Sequence, residues 1–413
     1  MMKTGVPPTH RYPSRSKLGR HNSSQEPKVE DKAKDRVFVP KEVIFNILLF
    51  LPAKLLHDVV RYVCKQWYDI ITDSFFVRAH CQMPTTTNSD SFIVQAPYTR
   101  HNMYFVVHED VAKSVMLTKI QLPFRGMIQG SCNGLVLFCD NWDTSRKVHL
   151  MNPLRKLIVN MPPVIPVVLG YLFYTTYGFA VNSSGQYKVV HISFYISPTY
   201  SCEMSVFTIG VDKSWRPRPI DLQHLLGTPL NYGDMPCPLW NPGLLIARFL
   251  YWCSTSFVYS LAMDVDTETL YLITWPASVD RERFNRYFIS MGTALGLMAQ
   301  DDSNPAIWKL LKLTDIKSSE WTEISKIDIG AIVNKVTKGK WTMTYGVVAI
   351  KPVSLIHGEL CFYCGVISTK WSRFVRYNLA NESLVSSRVN ISCNGASSVH
   401  HVQTFVSPKN CYP

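Results

Sequence analysis

The chain has 413 residues, 46% hydrophobic and 18% charged, with 20 Tyr, 20 Phe, 10 Trp and a net charge of +13. That composition excludes a disordered polymer, and its aromatic content favours strands over a helical bundle. No apolar run reaches the roughly 18–20 residues that span a bilayer as a helix, and residues 1–20 lack the apolar centre of a secretory signal.

The first segment, residues 1–36, reads as a disordered basic tail. It holds nine Lys/Arg and four Asp/Glu, with Pro7, Pro8 and Pro13 and little to bury. It is free of acids until Glu26, as transit peptides are, but has no amphipathic apolar face. The rest of the positive charge is spread along the chain with no basic run of five or more. A phosphate-tracking surface needs concentrated charge, so no nucleic-acid partner is expected.

Residues 37–82 read as a compact three-helix unit. Pro40 suits a first helical turn, where its missing N–H costs nothing. Val43, Ile44, Ile47, Leu48 and Leu51 then keep helical spacing. Pro52 ends that helix and opens a second with Leu55, Leu56, Val59 and Val60. A third helix is predicted from about Tyr62 to Ile71, with Val63, Trp67 and Ile70 on one stripe. A unit this small buries too little surface to be very stable alone, so part of its apolar surface is expected to face a partner.

From about residue 90 the spacing changes to short alternating strands. One unit recurs: strand, polar turn, second strand, proline. It is clearest at 148–162, 204–217 and 261–276, looser at 307–324 and 374–384, and 114–123 reads as a first copy. The recurrence, about every 45–65 residues, lies near or somewhat above the period of four-stranded propeller blades. A proline ending such a hairpin suits the exposed outer edge of a blade. The predicted fold is therefore mainly β, a small helical unit before a large propeller-like domain spanning 90–385. Residues 386–413 are read as a closing strand and a tail. The alternative is an irregular β-sandwich.

Few residues assemble chemistry. Gly130-Ser131-Cys132-Asn133-Gly134 puts its serine one place early for a nucleophile elbow, and Asn133-Gly134 reads as a tight turn. Cys361 and Cys364 have redox or zinc spacing, but in a strand an i, i+3 pair points to opposite faces. His400-His401 reads as a solvated or frayed pair. No catalytic residue, cofactor or metal is expected. Eleven cysteines, an odd number, suit no disulfide framework, so reduced thiols in the cytoplasm or nucleus are expected. The sequons at Asn182, Asn381 and Asn390 are then read as carrying no glycan.

The helical segment resembles an F-box. Val39-Pro40, Glu42, Ile47-Leu48, Leu51-Pro52, Leu56 and Val63-Cys64-Lys65-Gln66-Trp67 occupy the motif's places, with Phe76 and His80 closing it. The β-rich remainder is similar to the F-box-associated interaction domain of plant F-box proteins, through Gly130-Ser-Cys-Asn-Gly134-Leu-Val-Leu, Asn152-Pro153 and Tyr177-Gly178-Phe179. The chain departs from the motif in Val39 for leucine, in Glu42 for aspartate, and in one extra residue between Leu56 and Val63. That residue falls either in an interhelical turn or inside a helix, where it would rotate the docking face by about 100°.

The resemblance implies a non-catalytic adaptor of a Skp–cullin–F-box ubiquitin ligase. Pro40, Ile47, Leu48, Leu51, Pro52, Leu56, Val63 and Lys65 would contact the Skp-type subunit, which leads to cullin and RING subunits. The β domain would hold an unknown protein target, with no membrane partner. Two alternatives stay open: an F-box regulator outside any ligase, or a propeller enzyme or carbohydrate-binding module. Within 223–242, rich in proline, Tyr232 and Trp240 are candidate target contacts, or Trp240 plugs the core beneath a long connection.

Overall fold

The computed structural model describes residues 39–408 except 84–90, 96–100, 110–113, 141–146, 165–170, 197–199, 221–242, 253–258, 277, 280–285, 340–347, 367–371 and 390–396. The predicted tail and the 223–242 segment lie outside the described residues.

Four short α-helices come first: α1 Lys41–Leu49, α2 Ala53–Asp58, α3 Lys65–Thr72 and α4 Ser74–Gln82, with a 3₁₀ turn at Val60–Tyr62. Pro52 precedes α2 with φ −57°, as the sequence implies. The third predicted helix is divided differently. Val59 leaves helical geometry at φ −129° and Cys64 is fully extended at φ −160°, so the chain resets its rotation before Lys65. Val63 is therefore 59% exposed while Ile70 is buried, and the two do not share a stripe. The extra residue between Leu56 and Val63 falls in a segment that is mostly this break, which absorbs it. The fourth helix starts where Asp73 accepts hydrogen bonds from the backbone N–H groups of Phe75 (2.7 Å) and Phe76 (3.4 Å), satisfying two orphan donors.

Ile44, Leu48, Ala53, Leu56, Val60, Ile70, Ile71 and Phe76 form the helical core. Phe405, from the far end of the chain, packs into it as a ninth buried member. His80 closes the core from α4: its Nε2 donates to the Leu51 carbonyl at 2.8 Å, satisfying an orphan carbonyl after α1.

The β domain is propeller-like, built largely of four-stranded antiparallel units in which neighbours in a sheet are mostly neighbours in the chain. One sheet runs β4 Met127–Cys132, β5 Leu135–Cys139, β6 Val148–Asn152, β7 Leu157–Asn160. The next runs β8 Tyr171–Val181, β9 Tyr187–Ile196, β10 Tyr200–Thr208, β11 Arg216–Arg218. A third runs β12 Leu244–Ile246, β13 Phe249–Trp252, β14 Tyr259–Asp264, β15 Leu270–Thr274. An eight-stranded sheet holds two more such units. The first is β16 Arg286–Met291, β17 Ala294–Gln300, β18 Ile307–Asp315 and β19 Glu320–Asp328. The second is β20 Val348–Ile356, β21 Glu359–Val366, β22 Ser372–Asn378 and β23 Leu384–Arg388. Among the described residues, the parallel pairing of Ser290 with Ser354 joins them, linking the first strand of each. Helix α5, Ile329–Thr337, fills the connection and buries Ile329, Ile332, Val333 and Val336.

The remaining sheet is composite. β1 Ser91–Gln95, β2 Asn102–Glu109 and β3 Ser114–Gln121 come from the start of the domain, while β24 Ser397–His401 comes from its end and pairs with β1. The two ends of the β domain are thus hydrogen-bonded into one sheet.

The recurring hairpins are the last two strands of each sheet: β6–β7, β10–β11, β14–β15, β18–β19 and β22–β23. Pro162, Pro217 and Pro276 sit in or just past the outermost strand, where a missing N–H breaks no ladder. Residues 114–123 are not a hairpin. Ser114–Gln121 form the single outermost strand β3, whose hairpin partner is the preceding strand β2. Adjacent sheets meet tightly at Gly178, where a Cβ would lie 2.6 Å from the Trp252 ring.

Candidate functional site

The helical unit has two apolar sides. One is the core; the other faces solvent, with Val43, Ile47, Phe50, Leu55, Val59, Tyr62, Val63 and Phe75 all more than 40% exposed. On α1, Val43 and Ile47 lie at i and i+4 on one face, and Phe50 follows in the turn that ends the helix. Large apolar side chains gathered this densely and exposed in so short a segment are a candidate interaction surface.

The eight expected adaptor contacts separate into three groups. Pro40, Ile47, Val63 and Lys65 are exposed, and Leu51 and Pro52 are half-buried. Leu48 and Leu56 are fully enclosed in the helical core of this chain. They lie on the inner arc of their helices, and only this tertiary core tells them from neighbours of equal hydrophobicity. Sequence reasoning assigned no contact to Val43, Phe50, Leu55, Val59, Tyr62 or Phe75. The legible signal was a helix α1 apolar on more than one face. Tyr232 and Trp240 lie outside the described residues.

The chemistry-bearing motifs resolve into structural roles. Asn133 (φ 47°) and Gly134 (φ 77°) form the two-residue turn between β4 and β5, as expected. Cys361 and Cys364 of β21 are buried in different cores on opposite faces of the strand. His400-His401 is corrected from a frayed pair: it ends β24, and His401 is buried with Nδ1 2.9 Å from Ser131 Oγ. Burial, helped by neighbouring His400, pulls the His401 pKa down to about 3. The contact between Ser131 and His401 ties β24 to β4. No cluster of His, Cys, Asp and Glu suited to a metal occurs among the described residues.

The helices and β domain belong to one unit, Glu42–Pro413. Phe405 lies 5.8 Å from the His80 ring, edge-on, and 6.4 Å from His57, centroid to centroid. Arg155, in the β6–β7 turn, donates from an Nη to the Phe405 carbonyl at 2.9 Å and holds that residue in place. Burial pushes the His80 pKa below its usual value, so the ring stays neutral in this core.

Comparison with known proteins agrees with the helical geometry. Residues 38–83 match the F-box-like family model. No curated protein matches the chain. Solved structures similar to it include a functionally unknown protein from Desulfotomaculum acetoxidans DSM 771, 11% identical, covering 78% of this chain and 84% of that one, with a TM-score of 0.35. Another is a nidogen/laminin complex, 10% identical, covering 76% and 99%, TM-score 0.40. A third is a putative 6-phosphogluconolactonase from Bacteroides fragilis NCTC 9343, 10% identical, covering 77% and 99%, TM-score 0.38. At these scores no activity passes from them to this chain. The chain carries an F-box-like domain at its helical end and a propeller-like β domain after it.

Proposed function

We propose that this protein is a non-catalytic substrate receptor of a Skp–cullin–F-box ubiquitin ligase, working in the cytoplasm or nucleus. The observation that carries the reading is the solvent-facing apolar surface of Val43, Ile47 and Phe50, with Leu55, Val59 and Val63, within the segment matching the F-box-like family. Burying such side chains against a partner is worth about 25 cal/mol per Å² of apolar area, the dominant favourable term of most protein association.

In this reading the Skp-type subunit covers that surface, and cullin and RING subunits are recruited through it. The β domain, read as the plant-type F-box-associated interaction domain, holds the target protein on its loops. Ubiquitin transfer is then accelerated by effective concentration and orientation, with catalysis supplied by other subunits. The Phe405 anchor supports this division of labour, since helices fixed to the β domain hold a target at a set position.

The test is co-purification. The full chain should capture a Skp-type subunit and, with it, a cullin, and Ile47→Asp with Val63→Asp should lose both. Undiminished capture by that double variant would overturn the docking assignment. Capture of the Skp-type subunit without cullin would overturn the ligase role.

A further inference from the structure

A cavity of about 730 Å³ opens where the helices meet the β domain, within the size range of small-molecule sites. Its charge is one-sided. Arg61, Arg78 and Arg155 line it, with no Asp or Glu among the lining residues. No ion pair joins any of these arginines to a described carboxylate. Several other cations of the fold are paired: Lys188, Arg216 and Arg218 converge on Glu268, and Arg376 meets Glu359 at 3.2 Å.

The three guanidiniums still have donors to give. Arg155 is half-buried and spends one Nη on the Phe405 carbonyl. Arg61 donates to the Tyr62 hydroxyl, while its Nε is buried with no partner among the described residues. Burial first, and then the adjacent Arg61 charge, press the Arg155 pKa down, with Tyr68 opposing them, so the two guanidiniums lie close enough to repel. An anion between them removes that repulsion. Planar guanidinium forks match phosphate oxygens two at a time, which favours phosphate over a simple halide. Ile71, Val77, Tyr187 and Phe405 add apolar surface to the lining.

We propose that this cavity binds a small phosphorylated molecule, with two linked phosphate groups spanning the three arginines. Arg61 and Arg78 come from the helical unit and Arg155 from the β6–β7 turn, so the ligand bridges the two parts of the chain and stiffens their joint. The proposal does not rest on the ligase reading, because the site needs no partner subunit.

The test uses the full-length protein, with sodium pyrophosphate and ADP as probes against sodium chloride at matched ionic strength. Calorimetric titration should give saturable binding of at least one probe, and the thermal midpoint should rise with its concentration. Tighter binding of ADP than pyrophosphate would mean the apolar part of the lining holds a ring; equal binding would confine recognition to the phosphates. Arg78 is exposed and has no described partner, so Arg78→Gln should fold normally and weaken binding by on the order of tenfold or more, the loss of a charge-assisted hydrogen bond. Arg61→Gln should do the same. Absence of saturable binding up to about 10 mM, the weak end of specific affinity, would overturn the proposal. So would a thermal shift that both variants retain in full, or a phosphopeptide that binds where both small probes fail.

Discussion

The Asn152 side chain clasps the chain's end: its Nδ2 donates to the Thr404 carbonyl at 2.9 Å and to the Val406 carbonyl at 2.7 Å. Its Oδ1 accepts from the Arg155 backbone N–H at 3.0 Å, so one amide holds both its own turn and a strap 252 residues away. Thr404 completes the clasp by donating from Oγ1 to the Asn133 carbonyl at 2.7 Å.

Removing this clasp should cost stability without touching the exposed apolar surface of the helices. Asn152→Ala leaves buried carbonyls unsatisfied and is expected to lose about 1–3 kcal/mol in urea denaturation. Gly134→Ala should be worse. A Cβ there would sit 2.0 Å from Thr404 Oγ1 and 2.8 Å from its backbone nitrogen, at φ +77°. We expect a loss of at least about 3 kcal/mol or failure to fold, and a variant as stable as the parent would contradict the clasp.

Neighbouring residues of α1 should separate stability from docking. Leu48→Ala opens a cavity in the helical core and should lower stability by about 2–5 kcal/mol. Ile47→Ala, 53% exposed, should change stability by less than about 0.5 kcal/mol yet weaken capture of the Skp-type subunit. Urea midpoints and pull-down yields measured on both variants check the division.

Acid should destabilise the fold in two stages. In the unfolded chain His401 takes up a proton as pH falls below about 6.5, whereas in the folded chain it resists until about 3. Stability is therefore lost on lowering pH through that window, by about 2 kcal/mol at pH 5 from this residue. His80 and His149, also pushed down by burial, act with the same sign. Glu268, held at about 2 by Arg216, Lys188 and Arg218 against the cost of burial, adds a second loss below about pH 4.5. Urea midpoints between pH 7.5 and 4 should fall throughout, and a flat profile from 7 to 5 would contradict a buried neutral His401.

Thiol alkylation and then peptide mass analysis should find Cys64 labelled first among the described cysteines. Cys64 is exposed, whereas burial raises Cys81 to about 11 and Cys132 to about 12 and also raises Cys202. Because Cys64 lies beside Val63 and Lys65, an occupied docking face should slow its labelling. Labelling of Cys132 at the rate of Cys64 would show that the β domain opens readily.

The strand grammar was legible because hairpins are local: β6–β7 and β14–β15 each place pairing, turn and edge proline within about twenty residues, a range over which alternation reports burial. What sequence could not show were contacts closing over hundreds of residues. Asn152-Pro153 was visible as a motif, but its partner is Thr404. His400-His401 read as frayed because nothing local reveals that β24 joins β1. Leu48 and Ile47 are alike in propensity, and only the tertiary packing of the helical core decides which is buried. The basic cavity was equally hidden, since Arg61, Arg78 and Arg155 form no run and converge only in three dimensions.

Phe405 has a consequence for the order in which the protein is made. Ribosomal synthesis delivers the helices first and their ninth core residue last, roughly 20–60 s later at ordinary elongation rates. Until then the helical core lacks a member, and β1 waits for β24. A nascent chain thus cannot finish either part before both termini of the described fold have emerged, and a message truncated before residue 397 yields helices that never acquire their anchor. Completion of translation acts as a licence, coupling a mature docking face to a β domain that has closed.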